Sequence, residues 1–461
     1  MDKITERLAS FGTTVRREHL TPEAVHATQK LLLDTLGCAV GGHRSEPAQI
    51  ARRLAARSSG KPPARVLGTD ELSSLEAAAF ANCVMARYLD YNDTFMSQEV
   101  AHPSDMIPAI LAVGDAYHAS GEQVLLAVAT AYEMFAIFAD TCSLWDKGWD
   151  HGLYIGLGVA VGAGQLLRLG KEQMGNAIAL TVTANVPTRQ TRSGALTMWK
   201  GCAAAAAARA GIYAAELAKE GMTGPSAAFE GRHGVCEQVT GPLELGAFGG
   251  NGRPFAVERS GIKFFPTEYQ SQVPLDLILK LREKVAVDEI EAVHVETYHL
   301  TFTEIGSEPE KWRPTTRETA DHSLPYMLAA ALSDGGISVA SFSEERIRDP
   351  KLPPLMDRIR ISENLEFTKK FPASGECRIE ITTKKGERYV EQGSYPKGHA
   401  KNPMTDAEVE RKFRTLCHGL LSQDRCDAIV KTVSALDEVR DVGELLAWIQ
   451  IKGSSGDTIL N

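Results

Sequence analysis

No C-x-x-C pair occurs in this sequence: its eight cysteines, at positions 38, 83, 142, 202, 236, 377, 417 and 426, are scattered. Structural zinc sites and ferredoxin-type clusters draw on closely spaced thiolates, so neither is supported, and free reduced thiols are expected. Basic residues are also short, with 50 Lys and Arg against 59 Asp and Glu and a net charge of −9. Broad nucleic-acid binding needs a basic surface, so that class is set aside. An anionic substrate stays open, because a pocket's local charge can oppose the net charge. Long hydrophobic runs are missing too. "IGLGVAVGAGQLL" is too short to span a bilayer, and the Ala-rich "GCAAAAAARAGIYAAELA" carries Arg209 and Glu216. The opening "MDKITERLASFGTTVRREHL" lacks the apolar core of a signal peptide and is too acidic for a transit peptide. A cytoplasmic protein without membrane or nucleic-acid partners is the expectation.

What is present reads first as helix. "LTPEAVHATQKLLLDTLGCAVGG" offers Thr21 as N-cap and Pro22 at the first helical position, with Gly41 and Gly42 closing the helix. Helical spacing recurs in "DELSSLEAAAFANCVMARYLDYND", "MIPAILAVGDAYHASG", "EQVLLAVATAYEMFAIFADTC" and "KEQMGNAIALTVTAN". "WKGCAAAAAARAGIYAAELAKEGMTGP" is a strong helix ended by Gly221. Small residues on these helices predict close backbone approach. The character changes near Gly261. "DEIEAVHVETYHL" alternates like a strand, with Val293 and Val295 on one side and His294 and Glu296 on the other, and "MDRIRIS" alternates too. "ECRIEITTKKGERYVEQGSY" predicts a hairpin turning at Lys385-Gly386. From about Asp406 helix returns. The fold class is therefore mainly α with an inserted α+β domain: residues 264–404 set into an all-helical domain made of 1–263 and 405–461.

Polar islands interrupt this pattern. In "LDYNDTFMSQEVAHPSD", His102 precedes Pro103, which biases it out of helical geometry and predicts a helix start at Pro103 or Ser104 unless Pro108 delays it. Free N–H groups there would favour an anion and a neutral imidazole. The bland alternative is that Asp90, Asn92 and Asp93 cap helices while His102 bonds backbone. A metal site lacks the usual ligand spacing. In "DKGWDHGLYIGLG", His151 falls just ahead of an apolar helix. In "TRQTRSGALTMWKG", Arg189, Arg192 and Lys200 form a cation cluster suited to carboxylates or to water. "GIKFFPTEYQSQ" sets Lys263 beside an apolar pair, followed by Glu268, Tyr269, Gln270 and Gln272. "ETADHSLPYM" adds Asp321, His322 and Tyr326 at a helix start.

Together these islands resemble the MmgE/PrpD family, which contains 2-methylcitrate dehydratases and cis-aconitate decarboxylases. The matching stretches are "LLLDTLGCAVGG", "YLDYNDT", "AHPSD", "GWDHGLY", "RQTRSGALTMWKG", "EGMTGP", "IKFFPTEYQSQ", "ETADHSLPYMLAAAL" and "YPKGHAKNPMT", in order along nearly the whole chain. The combination of the Arg–Met-Trp-Lys-Gly stretch with "FP-EY-SQ" looks closer to the dehydratase branch. The resemblance implies a large helical domain, a smaller α+β lid, a homodimer, and a site without metal or organic cofactor in the cleft between domains. It implies Asp90, with Asn92 and Asp93, as the acidic motif, His102 and His151 as the histidines, Lys200 and Lys263 as the lysines, and Tyr326 on the lid helix. Gln270 departs from the pattern, since relatives often carry His there.

Dehydration of a 2-hydroxy tricarboxylate removes a proton α to a carboxylate and expels the β-hydroxyl as water. Cations must stabilise the enolate, while a base and an acid handle the protons. His102 and His151 are the expected pair, with their roles open, and Asp90 orients one imidazole. Arg189, Lys200 and Lys263 are expected to hold carboxylates, with Asp93 and Gln272 also binding substrate and Tyr326 donating to it. The reading is a metal-independent hydro-lyase that dehydrates 2-methylcitrate or a similar tricarboxylate such as citrate. Decarboxylation, epimerisation of a dicarboxylate, and carboxylate binding without catalysis use much the same equipment.

Overall fold

The structure is a computed structural model that describes residues 1–451. Residues 452–461 of the expected C-terminal helical part lie outside the described residues. Backbone contacts divide the chain into two compact units. The first comprises Met1–Thr191, Gly201–Ser260 and Thr405–Asn461, and the second Arg192–Lys200 and Gly261–Met404. The second unit thus begins at Gly261, not 264, and includes a nine-residue piece of the cation island that the sequence had assigned to the helical domain.

The first unit contains helices α1 (Lys3–Thr14), α2 (Pro22–Gly42), α3 (Glu46–Ala55), α4 (Leu75–Tyr88), α5 (Ile107–Ala116), α6 (Gly121–Ala139), α7 (Gly152–Leu166), α8 (Lys171–Ala184) and α9 (Ala203–Lys219). Helix α2 starts as its sequence dictates, with the Thr21 hydroxyl accepting from Ala24 N at 3.0 Å and Pro22 in the first turn. Helix α6 is long and apolar enough to cross a membrane, a run passed over in the sequence reading, but most of it is buried inside this unit. Helices α7 and α9 meet through small residues. A Cβ on Gly211 would stand 2.4 Å from the Gly156 carbonyl oxygen, so only glycine permits this backbone approach. All eight cysteines are free thiols.

In the second unit, helix α10 spans Gln272–Arg282 and strand β1 spans Ile290–Thr297. Helix α11 (Leu324–Asp334), strand β2 (Ile359–Glu363), and the hairpin β3 (Cys377–Thr383) and β4 (Arg388–Gly393) follow. The sheet order is β2-β1-β3-β4, with β1 and β2 parallel and the other pairs antiparallel. The hairpin turns where expected: Gly386, at φ +83°, donates its N–H to Thr383 O at 2.8 Å. Val293 and Val295 of β1 and Ile379 and Ile381 of β3 are buried with Leu275 and Ile278 of α10 and Met327 of α11. The opposite face is polar, and Arg378 pairs with Glu296 and Glu380, each at 2.8 Å. This one-sided burial is what period-2 alternation encodes.

Helix α12 (Asp406–Cys417) and helix α13 (Gln423–Ser434) return to the first unit. The helix that returns at Asp406 is not continuous: α13 stops at Ser434 and is followed by two short turns, Leu436–Glu438 and Gly443–Leu446.

Candidate functional site

Within the first unit, the loop after α4 is built on buried charge. Asp90 has φ 51°, a left-handed conformation uncommon for a non-glycine residue, and its backbone N–H is held by Arg87 O at 3.1 Å. The Arg87 guanidinium, in the last turn of α4, bonds the Asp90 carboxylate and stands 3.5 Å from Asp105 Oδ2. All three side chains are buried. Asn92 donates to Ser104 Oγ and to Asp105 Oδ1, both at 2.8 Å.

Asp93 does not have the substrate-facing position expected of it. Its Oδ1 accepts the Ser104 N–H at 3.0 Å, and its Oδ2 accepts the hydroxyls of Tyr132 at 2.9 Å and Ser260 at 2.6 Å. Burial pushes its carboxyl upward, against the pull of these donors. Asp93 therefore anchors the loop. It also takes the Ser104 N–H that the sequence reading had left for an anion. The helix start differs as well: Pro103–Met106 is a 3₁₀ turn, and α5 begins at Ile107 with Pro108 in its first turn. His102 thus stands a turn away from the α-helix dipole.

His102 is fixed by other means. Its Nδ1 lies 2.7 Å from Asp93 O and 3.2 Å from Thr94 Oγ1. A carbonyl oxygen only accepts, so Nδ1 carries the proton and Nε2 holds the lone pair. Nε2 is 3.9 Å from Asp90 Oδ1, and the His102 side chain retains 12% exposure where Asp90 retains 1%. The nitrogen near Asp90 is therefore the basic one. His151 stands at the N-cap of α7, where its carbonyl accepts from Tyr154 N at 2.9 Å. Asp150 beside it accepts the Gly152 N–H at 3.0 Å. The two imidazoles face each other edge to face, with centroids 6.2 Å apart and planes at 82°. Arg189 lies over the Trp145 ring at 5.8 Å. The structure thus brings together Asp90, His102 and His151.

In the second unit a different cluster forms. Lys200 Nζ bonds Asp321 Oδ1 at 2.9 Å and lies 3.2 Å from His322 Nδ1. The same Asp321 oxygen is 2.7 Å from His322 Nδ1, and its other oxygen accepts from Arg317 at 3.1 Å. Burial works against the Asp321 carboxylate, but Lys200, His322 and Arg317 outweigh it and hold its pKa down to about 2. Asp321 and His322 were visible in "ETADHSLPYM" but were not chosen as site residues; a one-dimensional pattern does not show which lysine they meet.

Lys263 is buried. Gln272 does not offer its amide to a substrate. Its Oε1 accepts from Phe264 N at 3.1 Å and Phe265 N at 3.0 Å, while its Nε2 donates to Phe265 O at 3.0 Å and Thr267 Oγ1 at 2.8 Å. It shapes the turn directly after Lys263. Tyr326 also differs from the expectation. Its hydroxyl donates to Ser341 O at 2.6 Å within the core of the second unit, and burial pushes the phenol upward. Gln270, standing where relatives often carry His, directs its side-chain amide at the Glu268 carboxylate.

Residues 6–246 match the MmgE/PrpD N-terminal domain, and residues 265–438 match the MmgE/PrpD C-terminal domain. The chain belongs to the MmgE/PrpD family. Human cis-aconitate decarboxylase is 25% identical to it over 98% of this chain and 95% of its own length. A probable 2-methylcitrate dehydratase of Saccharomyces cerevisiae is 25% identical over 94% of this chain and 89% of its own length. The 2-methylcitrate dehydratase of Escherichia coli is 29% identical over 80% and 81%, respectively. Both activities occur among relatives of similar identity, so the choice between them rests on the chemistry of the residues.

Proposed function

We propose that this MmgE/PrpD family member is a metal-independent hydro-lyase that dehydrates 2-methylcitrate or a similar tricarboxylate such as citrate. The observation that carries this reading is the His102–His151 pair, two imidazoles with centroids 6.2 Å apart, one from the connection between α4 and α5 and one from that between α6 and α7. Elimination needs two proton-handling groups at once. One takes the proton from the carbon α to a carboxylate; the other protonates the hydroxyl on the neighbouring carbon. The electron pair of the broken C–H bond forms the new double bond as the C–O bond breaks, and water leaves. Decarboxylation breaks a C–C bond instead and needs only one proton delivered to carbon, so a matched pair suits it less.

Asp90, held by Arg87, keeps a negative charge near His102 Nε2 and favours uptake of a proton there. A homodimer is proposed with this activity.

The test is direct. Chelator-treated protein is incubated with 2-methylcitrate and with citrate, and the ultraviolet absorbance of the conjugated product is followed. Product from either supports the dehydratase. No product from both, with CO₂ released from cis-aconitate, replaces it with the decarboxylase.

A further inference from the structure

Glu99 is a buried carboxylate that neither the sequence reading nor the mechanism above has used. Its backbone N–H donates to Ala139 O at the end of α6, at 3.0 Å. One carboxylate oxygen, Oε2, is held by three donors from a single turn: Leu144 N at 2.7 Å, Trp145 N at 3.2 Å and Ser143 Oγ at 3.2 Å. The other oxygen, Oε1, is 4.0 Å from His151 Nδ1.

The two histidines therefore differ in what stands at Nδ1. At His102 it is a neutral backbone carbonyl; at His151 it is a carboxyl group. We propose that Glu99 is the positioning residue that makes His151 the general acid, leaving His102 as the general base. The proposal rests on the hydro-lyase reading and assigns the roles within it. Each ring has a carboxylate close by, but Asp90 stands 3.9 Å from His102 Nε2, the nitrogen that takes up a proton. Glu99 stands 4.0 Å from His151 Nδ1 and leaves Nε2 to donate, so His151 is the ring that gives its proton as the hydroxyl leaves. In the reaction His151 gives that proton to the departing oxygen, and His102 Nε2 gains the one removed from carbon.

The charged groups that face Glu99 are consistent with this poise. Arg189 favours its carboxylate and Asp150 opposes it, while the Ser143–Trp145 turn presents only neutral donors. Burial is the largest influence and lifts the Glu99 carboxyl to about 7, so its charge is only partly present at neutral pH, grows above it and is lost in mild acid. On the His102 side, the nearest carboxylate, Asp90, is already paired with Arg87, and Thr94 adds only a hydroxyl.

Glu99→Gln keeps the size and an acceptor for the three donors but removes the negative charge. Histidine-selective NMR of the substrate-free protein, with His151→Ala and His102→Ala used for assignment, reads the titration of each ring. The expected result is a fall of about one unit in the His151 titration, with His102 unchanged. The alkaline limb of the pH profile of kcat/KM moves in the same direction, and kcat falls at least about tenfold while KM stays within a few fold. An unmoved His151 titration overturns the proposal and leaves Glu99 as a staple of the Ser143–Trp145 turn. A shifted titration with an unmoved activity limb overturns the role assignment alone. Because the titration needs no substrate, it separates failure of this pairing from failure of the dehydratase reading, which would appear as an inactive wild type.

Discussion

Two buried clusters, one in each unit, treat charge in opposite ways. In the first, one cation serves two anions: the Arg87 guanidinium meets Asp90 and Asp105, and the neighbouring Asp93 is held by neutral donors from Ser104, Tyr132 and Ser260. In the second, one anion serves several cations: Asp321 meets Lys200, Arg317 and His322. The first arrangement sets the Asp90 carboxylate 3.9 Å from His102 Nε2. The second keeps positive charge ordered and buried. Acid–base work and carboxylate binding ask for these two different solutions.

The largest effects should fall on the first unit. His102→Ala and His151→Ala are each expected to lower kcat by at least about 100-fold with the fold intact, measured by steady-state dehydration and circular dichroism. Near-normal turnover in either variant would reduce that imidazole to a structural part and erase the contrast between the units.

Next comes the anion of the second unit. Asp321→Asn removes the charge that compensates a buried lysine, and a loss of about 3 kcal/mol is expected from denaturant melts at neutral pH. The Asp321 pKa is lowered in the folded state, to about 2 from 3.8. Its stabilisation is therefore complete above about 3.8 and is lost as pH falls through that window. The gap between wild type and variant should close in the same range. A gap that persists unchanged to low pH would mean that Asp321 acts by shape and not by charge.

The Glu99 carboxyl has the reverse sign. Its folded-state pKa is raised to about 7 from 4.5, so its protonated form favours folding below about 4.5, and that contribution is lost as pH rises toward 7. Glu99→Gln should flatten the stability profile between these values. A profile as steep as that of the wild type would place the titrating group elsewhere.

The smallest effect is expected at Tyr326. Tyr326→Phe removes one buried hydrogen bond to Ser341 O, worth about 1 kcal/mol, and should leave kcat within a few fold. A collapse of kcat without loss of stability would restore Tyr326 to the chemistry.

Much of the frame was legible in the sequence. Thr21 and Pro22 start α2, Gly386 turns the hairpin, and alternation in β1 sets Val293 and Val295 against the core, because caps, turns and burial periods are local properties. The families of polar islands were legible as well, and they marked His102, His151 and Lys200. The partners within each island were not legible: in the sequence nothing marks that Asp93 meets Tyr132 and Ser260, that Gln272 bonds the backbone of Phe264 and Phe265, or that Tyr326 donates to Ser341 O.

The sequence by itself determined the helical frame, the inserted sheet and the short list of titratable groups. Only tertiary structure decided which of those groups remain able to exchange a proton. That depends on partners far apart in the chain: Ser260 on Asp93, Asp321 on Lys200, and Ser143–Trp145 on Glu99. A carboxylate's charge and a histidine's tautomer are set by the donors and acceptors within hydrogen-bond reach, and it is the packing of the chain that brings these together.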